Sequence, residues 1–381
     1  MAGIYLHVPF CSSRCIYCDF YSTTSAPAWR DAYVEALCAE LRMRCGELGA
    51  EEVQTIYWGG GTPSLLSADQ LQRVMATLRQ YYIIAPEVEI TLESNPDDVT
   101  PECADAWRGL GFNRVSLGIQ SFHDDILRTL RRRHTAAGAR LAVAQLQQAG
   151  FENITVDLIY GLPGQTFSRW QADLDQVAQL GVQHLSAYAL SYEEGTALTK
   201  MRDAGTVVET DEEILRQMYL YLIERTRALG FEHYEISNFC LPGFASRHNS
   251  SYWQGVPYLG VGPGAHSFDG VQSRRANQPD LKAYIAAAEA GGAVPAQVEV
   301  LDEEEMFEEY LLTSMRTAKG ADLAYVSARF GEARLQELLR LAQRFIKQGN
   351  LKLNDGHLQL TVEGIFISDY VLSDLIAAAD F

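Results

Sequence analysis

The feature that most constrains the fold is an alternation of short apolar runs with longer helical patterns over the first 190 residues. The runs are rich in valine, isoleucine, leucine and tyrosine, as is typical of strands buried on both faces of a parallel sheet. They lie at residues 4–8, 55–58, 88–92, 114–119, 154–159 and 184–190. Helical patterns separate them, for example at residues 28–48, 68–82, 136–148 and 168–180. Ser67 and Thr100 precede helical patterns and are residue types that cap helices.

Six strand–helix units in succession predict an α/β fold with a parallel sheet. No Gly-x-Gly-x-x-Gly fingerprint follows the first run, so we expect a partial, open TIM-type (β/α)6 barrel and not a dinucleotide-binding sheet. In such barrels the chemistry lies at the carboxyl ends of the strands. The residues that follow the first five runs include Cys11, Gly59-Gly60-Gly61, Glu93, Gln120 and Gly161.

Beyond residue 200 the regular alternation of apolar runs and helical patterns ends, and we expect three regions in the chain. Residues 1–235 are expected to form the barrel, residues 236–300 a histidine- and aromatic-containing loop region and connection, and residues 301–381 a helical domain. Within the second region, residues 238–270 are rich in glycine and aromatic residues and are expected to be a loop. The last region predicts helices at 323–330 and 333–348, a hairpin that turns at Asn354-Asp355-Gly356, and a final helix at 362–378. This order of elements resembles a winged helix.

The charge balance excludes most nucleic-acid binders. The chain has 31 Lys and Arg against 49 Asp and Glu, a formal net charge of −18, and residues 321–381 alone carry six basic and eight acidic side chains. A nucleic-acid partner requires a basic footprint, so we expect none. There is no apolar run of the roughly 20 residues that a membrane helix needs, and no secretory signal at the start. We expect a cytoplasmic protein with at most peripheral membrane contact, whose acidic face keeps it soluble or mediates homodimerisation or docking.

Three of the seven cysteines lie within eight residues, at Cys11, Cys15 and Cys18, directly after the first predicted strand. Three thiolates can hold three irons of a four-iron, four-sulfur cluster and leave the fourth iron open for a substrate. The alternative is a structural zinc site with His7 or Asp19 as fourth ligand. Zinc sites usually show a second pair of ligands at set spacing, and none is present, so the spacing favours the cluster. The remaining cysteines, Cys38, Cys45, Cys103 and Cys240, are expected to be packing residues.

The cysteine spacing, the Asp19-Phe20-Tyr21 that follows it and the Gly59-Gly60-Gly61-Thr62-Pro63 run are similar to the radical S-adenosylmethionine (SAM) superfamily. The opening Ile4-Tyr5-Leu6-His7-Val8-Pro9-Phe10-Cys11 resembles the branch that contains oxygen-independent coproporphyrinogen III oxidase. In that branch the oxidases carry a fourth cysteine where this chain has Phe20. Arg247-His248-Asn249-Ser250-Ser251-Tyr252-Trp253 matches instead a His-Asn-x-x-Tyr-Trp motif of the heme chaperones of the branch.

The resemblance implies a set of cofactor-binding residues. Gly60 and Glu93 would serve SAM bound at the open iron, and Tyr5 and Tyr17 would pack against the cluster and the adenine. The positions that serve a second SAM molecule in the oxidases are Gly61, Thr62, Gln120, Arg132 and Asp157. Asp157 also stands out on physical grounds, because it interrupts an apolar strand where an unpartnered carboxylate is costly to bury.

The resemblance also implies heme as cargo, delivered to respiratory or other heme proteins, with no coproporphyrinogen oxidase activity. His248, Asn249, Tyr252 and Trp253 are the expected heme-binding residues, in a loop that could close over the barrel mouth. Imidazole is a common axial ligand and aromatic rings pack on porphyrin faces. The motif does not identify the iron ligand, for which His266 or a cysteine is the alternative to His248. Asn249 is expected to orient the loop through side-chain bonds to the backbone.

Two other functions remain open on the sequence. The first is an active oxygen-independent coproporphyrinogen III oxidase, for which the residue at position 20 is the discriminating feature. The second is a nucleic-acid-modifying radical enzyme, which the winged tail would fit and the acidic balance disfavours.

Overall fold

The structure is a computed structural model that describes residues 1–24 and 28–380. Its strands are β1 (Ala2–Val8), β2 (Val53–Gly60), β3 (Ile84–Ser94), β4 (Arg114–Gln120), β5 (Ile154–Tyr160), β6 (His184–Ala189), β7 (Glu232–Glu235), β8 (Asn238–Cys240), β9 (Tyr258–Val261), β10 (His266–Phe268), β11 (Ser273–Asn277), β12 (Ala296–Val300), β13 (Ala321–Asp322), β14 (Leu351–Asn354) and β15 (His357–Leu360). Its α-helices are α1 (Trp29–Met43), α2 (Ala68–Tyr81), α3 (Pro101–Leu110), α4 (Asp124–Thr129), α5 (Ala136–Gln148), α6 (Phe167–Leu180), α7 (Ala197–Asp203), α8 (Glu212–Ala228), α9 (Arg247–Trp253), α10 (Leu281–Glu289), α11 (Glu303–Ser314), α12 (Leu323–Phe330), α13 (Glu332–Gln348), α14 (Val362–Ile365) and α15 (Ser368–Ile376).

Strands β1 to β6 lie side by side in chain order and pair in parallel, with helices in the connections. This confirms the expected partial barrel. The strands form because they can be buried: β1 has a single half-buried residue, Tyr5, among seven. The predicted caps are also present, since the side chain of Ser67 accepts from the N–H of Gln70 and that of Thr100 from the N–H of Cys103.

The sheet does not close into a full barrel, because further strands extend it at both edges. Strand β9 pairs in parallel with β1 and leads to the antiparallel strands β10, β11 and β12. At the other edge β8 pairs with β6, and β7 with β8. The expectation of a loop between residues 238 and 270 is therefore wrong. The segment satisfies its backbone hydrogen bonds by joining a sheet whose edge strands lie far away in the sequence, and a local glycine-rich pattern does not reveal such pairing.

The carboxyl-terminal region is a small domain with its own apolar core. Helices α12 and α13 pack against a three-stranded sheet in the order β13, β15, β14, as in a winged helix. Phe307, Leu338 and Phe345 are fully buried in its core. The helix expected at 362–378 is broken into α14 and α15, because Ile367 leaves the helical conformation at φ −125° and ψ 27°. Among the described residues, no helix is long and apolar enough to cross a bilayer.

Candidate functional site

The three cysteines of the motif lie on one loop that leaves β1 at the carboxyl end of the sheet. The loop closes on itself, since the N–H of Cys11 donates to the carbonyl of Thr23 at 2.9 Å and the N–H of Thr23 donates to that of Pro9 at 2.6 Å. Cys11, Cys15 and Cys18 are all partly exposed and free of disulfides. Their thiols are therefore held near one another and remain accessible to a ligand.

Side chains that follow the neighbouring strands surround this loop. The hydroxyl of Thr62 donates to the sulfur of Cys11 at 3.6 Å, and Nη1 of Arg132 donates to that of Cys15 at 3.4 Å. Asn95 joins the two, because its Nδ2 donates to the Thr62 hydroxyl at 3.3 Å and its Oδ1 accepts from Arg132 at 2.5 Å. The sequence reasoning missed Asn95. Its signal was a polar amide directly after the third strand.

The thiols carry the electrostatic signature of a partly buried site. Burial raises the pKa of Cys11 above its ordinary value and that of Cys18 to about 11. Both are therefore neutral thiols at pH 7 in the metal-free protein. A metal cluster would take them as thiolates, so its binding would release protons.

The zinc alternative finds little support from its proposed fourth ligands. Nε2 of His7 donates to the carbonyl of Tyr21 at 2.9 Å, so its Nδ1 accepts from the hydroxyl of Tyr5 at 3.1 Å. Asp19 is exposed. Within residues 1–24 and 28–380, no three His, Cys, Asp or Glu side chains converge to hold a single metal ion. A four-iron cluster takes each thiolate on a different iron, so its ligands need not converge on one point.

Glu93 lies near the end of β3 and faces the interior of the barrel. It accepts from the hydroxyl of Tyr57 at 2.7 Å and from the N–H of Gly60 at 3.2 Å. Burial, reinforced by the nearby carboxylate of Asp157, raises the pKa of Glu93 to about 7. A buried carboxylate without a cation is costly, and a bound ammonium group would offset that cost.

The glycines at the end of β2 are required by the chain's own packing. Gly60 has φ +105°, and a Cβ there would lie 2.7 Å from the ring of His7. A Cβ at Gly61 would lie 2.7 Å from the carbonyl oxygen of Phe10. The two close contacts are therefore with His7 on β1 and with Phe10, where the chain enters the cysteine loop.

Three other expected SAM residues are Gln120 on β4, Asp157 on β5 and Arg132, which follows α4. Gln120 ends β4 with φ +69°, a conformation that non-glycine residues rarely adopt and that is often found at functional sites. Arg132 also bonds the carbonyl of Gly118 on the same strand. Asp157 accepts from the hydroxyl of Ser116 at 3.1 Å, and burial raises its pKa to about 6. The structure therefore brings these residues to the interior of the same end of the barrel.

The two tyrosines have different surroundings. Tyr5 stacks on Tyr57 at a ring distance of 6.2 Å and on His248 at 6.4 Å, inside the barrel. Tyr17 lies between two of the cysteines and packs against an apolar cluster that includes Ile126. Tyr5 is thus an interior residue near Glu93, whereas Tyr17 borders the thiols.

The histidine motif forms a helix, α9, so the expectation of a loop is wrong here as well. The cap comes from the hydroxyl of Ser246, which accepts from the N–H of Asn249. Within the described part of the chain, the expected bonds from the Asn249 side chain to the backbone are not found. The carboxylate of Glu89 on β3 accepts from the N–H of Arg247 and of His248, both at 3.1 Å. Sequence reasoning missed Glu89, because nothing local links residues so far apart.

His248 itself is fully buried, with an exposed fraction of 1%. Its Nδ1 is 2.8 Å from the hydroxyl of Thr55, near the start of β2, and its Nε2 is 2.8 Å from the hydroxyl of Tyr252. Its ring stacks on Tyr57 at 5.0 Å. Helix α9 therefore lies at the amino ends of the first strands, away from the cysteine loop, and both imidazole nitrogens are occupied in this conformation.

A cavity of about 1150 Å³ lies between the sheet and the carboxyl-terminal domain. Its wall is rich in aromatic side chains, which come from the cysteine loop, α9, the sheet extension, α11 and α12. They include Phe20, Tyr21, Tyr252, Trp253, Tyr258, Phe268, Tyr310, Tyr325 and Phe330. The volume exceeds the roughly 300–1,000 Å³ of ordinary ligand pockets, so it suits a large flat ligand.

Two features of the wall suit a ligand with carboxylates. Among the described residues, Lys319 and Arg329 line the cavity without a carboxylate partner, which is notable in a chain of net charge −18. Within residues 1–24 and 28–380, the indole N–H of Trp253 has no hydrogen-bond acceptor, while Arg316 packs over its ring at 5.0 Å. The cavity therefore combines aromatic walls with unused donors.

The comparisons with known proteins cover almost the entire chain. Residues 5–177 match the Radical SAM superfamily and residues 301–367 match the HemN C-terminal domain. The "Heme chaperone HemW" of Mycobacterium tuberculosis is 38% identical over 98% of this chain and 94% of its own length. The protein of the same name from Bacillus subtilis is 32% identical over 97% of this chain and 98% of its own.

Among solved structures, the coproporphyrinogen III oxidase HemN of Escherichia coli has the same fold, with a TM-score of 0.84 at 23% identity. It covers 100% of this chain and 90% of its own. At that identity the likeness shows the architecture alone. The radical SAM superfamily implies a four-iron, four-sulfur cluster and SAM, in agreement with the cysteine loop at the carboxyl ends of the strands. By its extended identity to these relatives, the chain belongs to the HemW family of the radical SAM superfamily.

Proposed function

We propose that this protein is a heme chaperone that carries a SAM-binding four-iron, four-sulfur cluster. The observation that carries the proposal is the cavity beside the cysteine loop, whose aromatic walls and unpaired cations suit a flat macrocycle with carboxylate side chains. Two bacterial relatives that align with this chain over almost their full length are named heme chaperones, which supports the same function.

Cys11, Cys15 and Cys18 would ligate three irons of the cluster, with SAM at the fourth. When bound, this pair supplies one-electron chemistry that the protein only orients. Glu93 and the backbone of Gly60 would hold the amino end of SAM, since they form the buried carboxylate and the adjacent open strand end.

The second group of polar residues would serve the same end of the barrel. Arg132, fixed by Asn95 and the carbonyl of Gly118, would keep the thiolates in a cationic environment. The wall of this end of the barrel would be completed by Gly61, Thr62, Gln120 and Asp157. The number of SAM molecules bound per chain at equilibrium, one or two, tests whether these residues hold a second one.

Heme would occupy the aromatic cavity. Tyr252 and Trp253 would pack on the porphyrin, and Lys319 and Arg329 would meet the propionates. His248 would act on the cargo through Tyr252, which it holds in place by a hydrogen bond of 2.8 Å. Asn249, partly buried on the same helix, would contribute to the fit of α9.

The second candidate is an oxygen-independent coproporphyrinogen III oxidase. It is favoured by the shared fold with HemN, and opposed by Phe20, which is 63% exposed at the edge of the cavity where the oxidases have a cysteine. Delivery of heme to respiratory proteins, a homodimeric state and a cytoplasmic location complete the proposal.

The deciding experiment uses protein reconstituted anaerobically with iron and sulfide. We expect stoichiometric heme binding and no conversion of coproporphyrinogen III to protoporphyrinogen IX in the presence of SAM and reductant. Efficient conversion would overturn the chaperone proposal in favour of the oxidase. A failure of the protein to bind heme at all would also refute the chaperone proposal.

A further inference from the structure

We propose that His266 is the axial ligand of the heme iron, an assignment that rests on the proposed heme cavity. The chain has eight histidines. Among the histidines that the structure describes, only His7 and His266 line the cavity, whereas His248 lies behind Tyr252. A heme in the cavity therefore meets at most two imidazoles without rearrangement.

Only one of these two imidazoles is available. Both nitrogens of His7 are engaged, one with the hydroxyl of Tyr5 and one with the carbonyl of Tyr21, and the side chain is only 5% exposed. His266 is exposed, and its ring has no hydrogen bond, ion pair or ring contact with any described residue. It lies close enough to His7 for the two imidazoles to interact electrostatically.

The sheet presents His266 to the cavity in a fixed direction. Successive residues of a strand point to opposite faces, so His266 and Phe268 share the cavity face of β10 while Ser267 points away. Ser267 is tied down, since its hydroxyl accepts from Arg44 at 3.0 Å and from the N–H of Gly260 at 2.9 Å. A Cβ at Gly260 would lie 1.9 Å from the carbonyl oxygen of His266, so β9 and β10 are in close contact at this point.

The coordination chemistry requires no additional reactant. A neutral imidazole nitrogen donates its lone pair to the ferric iron and displaces a water molecule from it, with no change in oxidation state. Other rings of the cavity wall, including Phe268 and Tyr258, would contact the porphyrin edge or face. Ligand bond and packing are thus separable contributions to the same binding event.

This separation provides the test. Wild-type protein, His266→Ala and the matched control His123→Ala, whose ring lies outside the cavity and bonds the carbonyl of Arg169, are each titrated with hemin and with metal-free protoporphyrin IX. For His266→Ala we expect a shifted Soret band and at least about a 10-fold loss of hemin affinity, since even indirect changes around a metal site cost ~10–100-fold. Its affinity for the metal-free porphyrin should equal that of wild type, and added imidazole should restore the Soret position.

The outcomes separate this inference from the function on which it rests. If wild type binds neither compound, the heme-carrier proposal fails. If wild type binds both and His266→Ala keeps the Soret position and the hemin affinity, His266 is not the ligand and only the inference falls. If His266→Ala loses both compounds equally, the residue shapes the cavity and the assignment is also overturned.

Discussion

The cysteine site and the aromatic cavity adjoin each other but are built in opposite ways. The cysteine site takes its three thiols from one loop and its supporting groups, Thr62, Asn95 and Arg132, from the segments that follow β2, β3 and β4. The cavity takes its wall from segments that range from Tyr5 to Phe330, on α9, the sheet extension and the small carboxyl-terminal domain. The first is a property of one sheet edge, and the second exists only when two domains pack together.

This difference explains why the sequence reveals the first site and not the second, although a few side chains connect the two. A loop and strand ends can be read as a motif, because parallel strands place successive carboxyl ends side by side. The two sites share the interior rings: His248 bonds Tyr252 on the cavity side and stacks on Tyr57, whose hydroxyl donates to Glu93. If the two sites are built independently, a substitution at one site leaves the other able to bind its own ligand, the cluster with SAM at the first and heme at the second.

The sharpest way to break the comparison is to remove a thiol. Cys15→Ala should abolish the iron–sulfur absorbance, because the cluster loses one of three protein ligands, while the folded protein still binds heme. Iron and sulfide counts together with a heme titration measure both. Cys103→Ala, a cysteine on α3 outside the loop, should keep its full iron and sulfide content. A Cys15→Ala protein with unchanged iron and sulfide would refute the assignment of the loop.

A second change tests the SAM side alone. Glu93→Gln should lower SAM affinity by about 10- to 100-fold, because a hydrogen bond to a charged group contributes ~1.5–3 kcal/mol. Equilibrium binding of SAM to the reconstituted protein measures the loss. The control is Glu87→Gln, at an exposed position of the same strand. Equal SAM affinity in both variants would remove Glu93 from the site, and a parallel loss of heme would show that the two sites are not independent.

The cavity side is tested by its aromatic wall. Trp253→Ala should weaken heme binding by about 10-fold, the loss of roughly 1.4 kcal/mol of aromatic packing, and leave the cluster intact. Trp253→Phe should restore most of the affinity. Tyr370→Ala, an exposed ring on α15 outside the cavity, should bind heme as wild type does. Heme affinity that is unaffected by Trp253→Ala would place the cargo elsewhere.

The smallest expected effect concerns stability and pH. The pKa of Glu93 is about 7 in the folded chain and lower in the unfolded chain, so the folded state binds more protons between roughly pH 4.5 and 7. Its contribution to stability is therefore lost as the pH rises through that window. Glu93→Gln should stabilise the metal-free protein at pH 8 by at least about 1.4 kcal/mol, which corresponds to a pKa difference of one, and by little at pH 4.5.

Urea unfolding of both proteins across this range measures the difference. Glu87→Gln should show no such pH-dependent gain, because that side chain is exposed. A difference that grows as the pH falls would contradict the sign and mean that Glu93 is stabilised as a carboxylate by a partner in the folded chain.

The sequence alone determined the barrel and the cysteine site, because both depend on local patterns. Apolar runs separated by capped helices predicted β1 to β6, and the residues after the runs predicted strand-end positions that the structure brings together, as the hydrogen bond between Gly60 and Glu93 shows. The wing hairpin at Asn354-Asp355-Gly356 was equally local, since its turn requires particular residue types.

Only the tertiary structure decided the rest. The segment at 238–270 became strands because it pairs with β1 and β6, and His248 became a buried helix residue because Glu89 and Thr55, far away in the sequence, satisfy its backbone and ring. The cavity that sets His266 apart from the other histidines depends on how the winged domain packs on the sheet. Contacts between residues hundreds of positions apart carry no local periodicity, so chain packing alone reveals them.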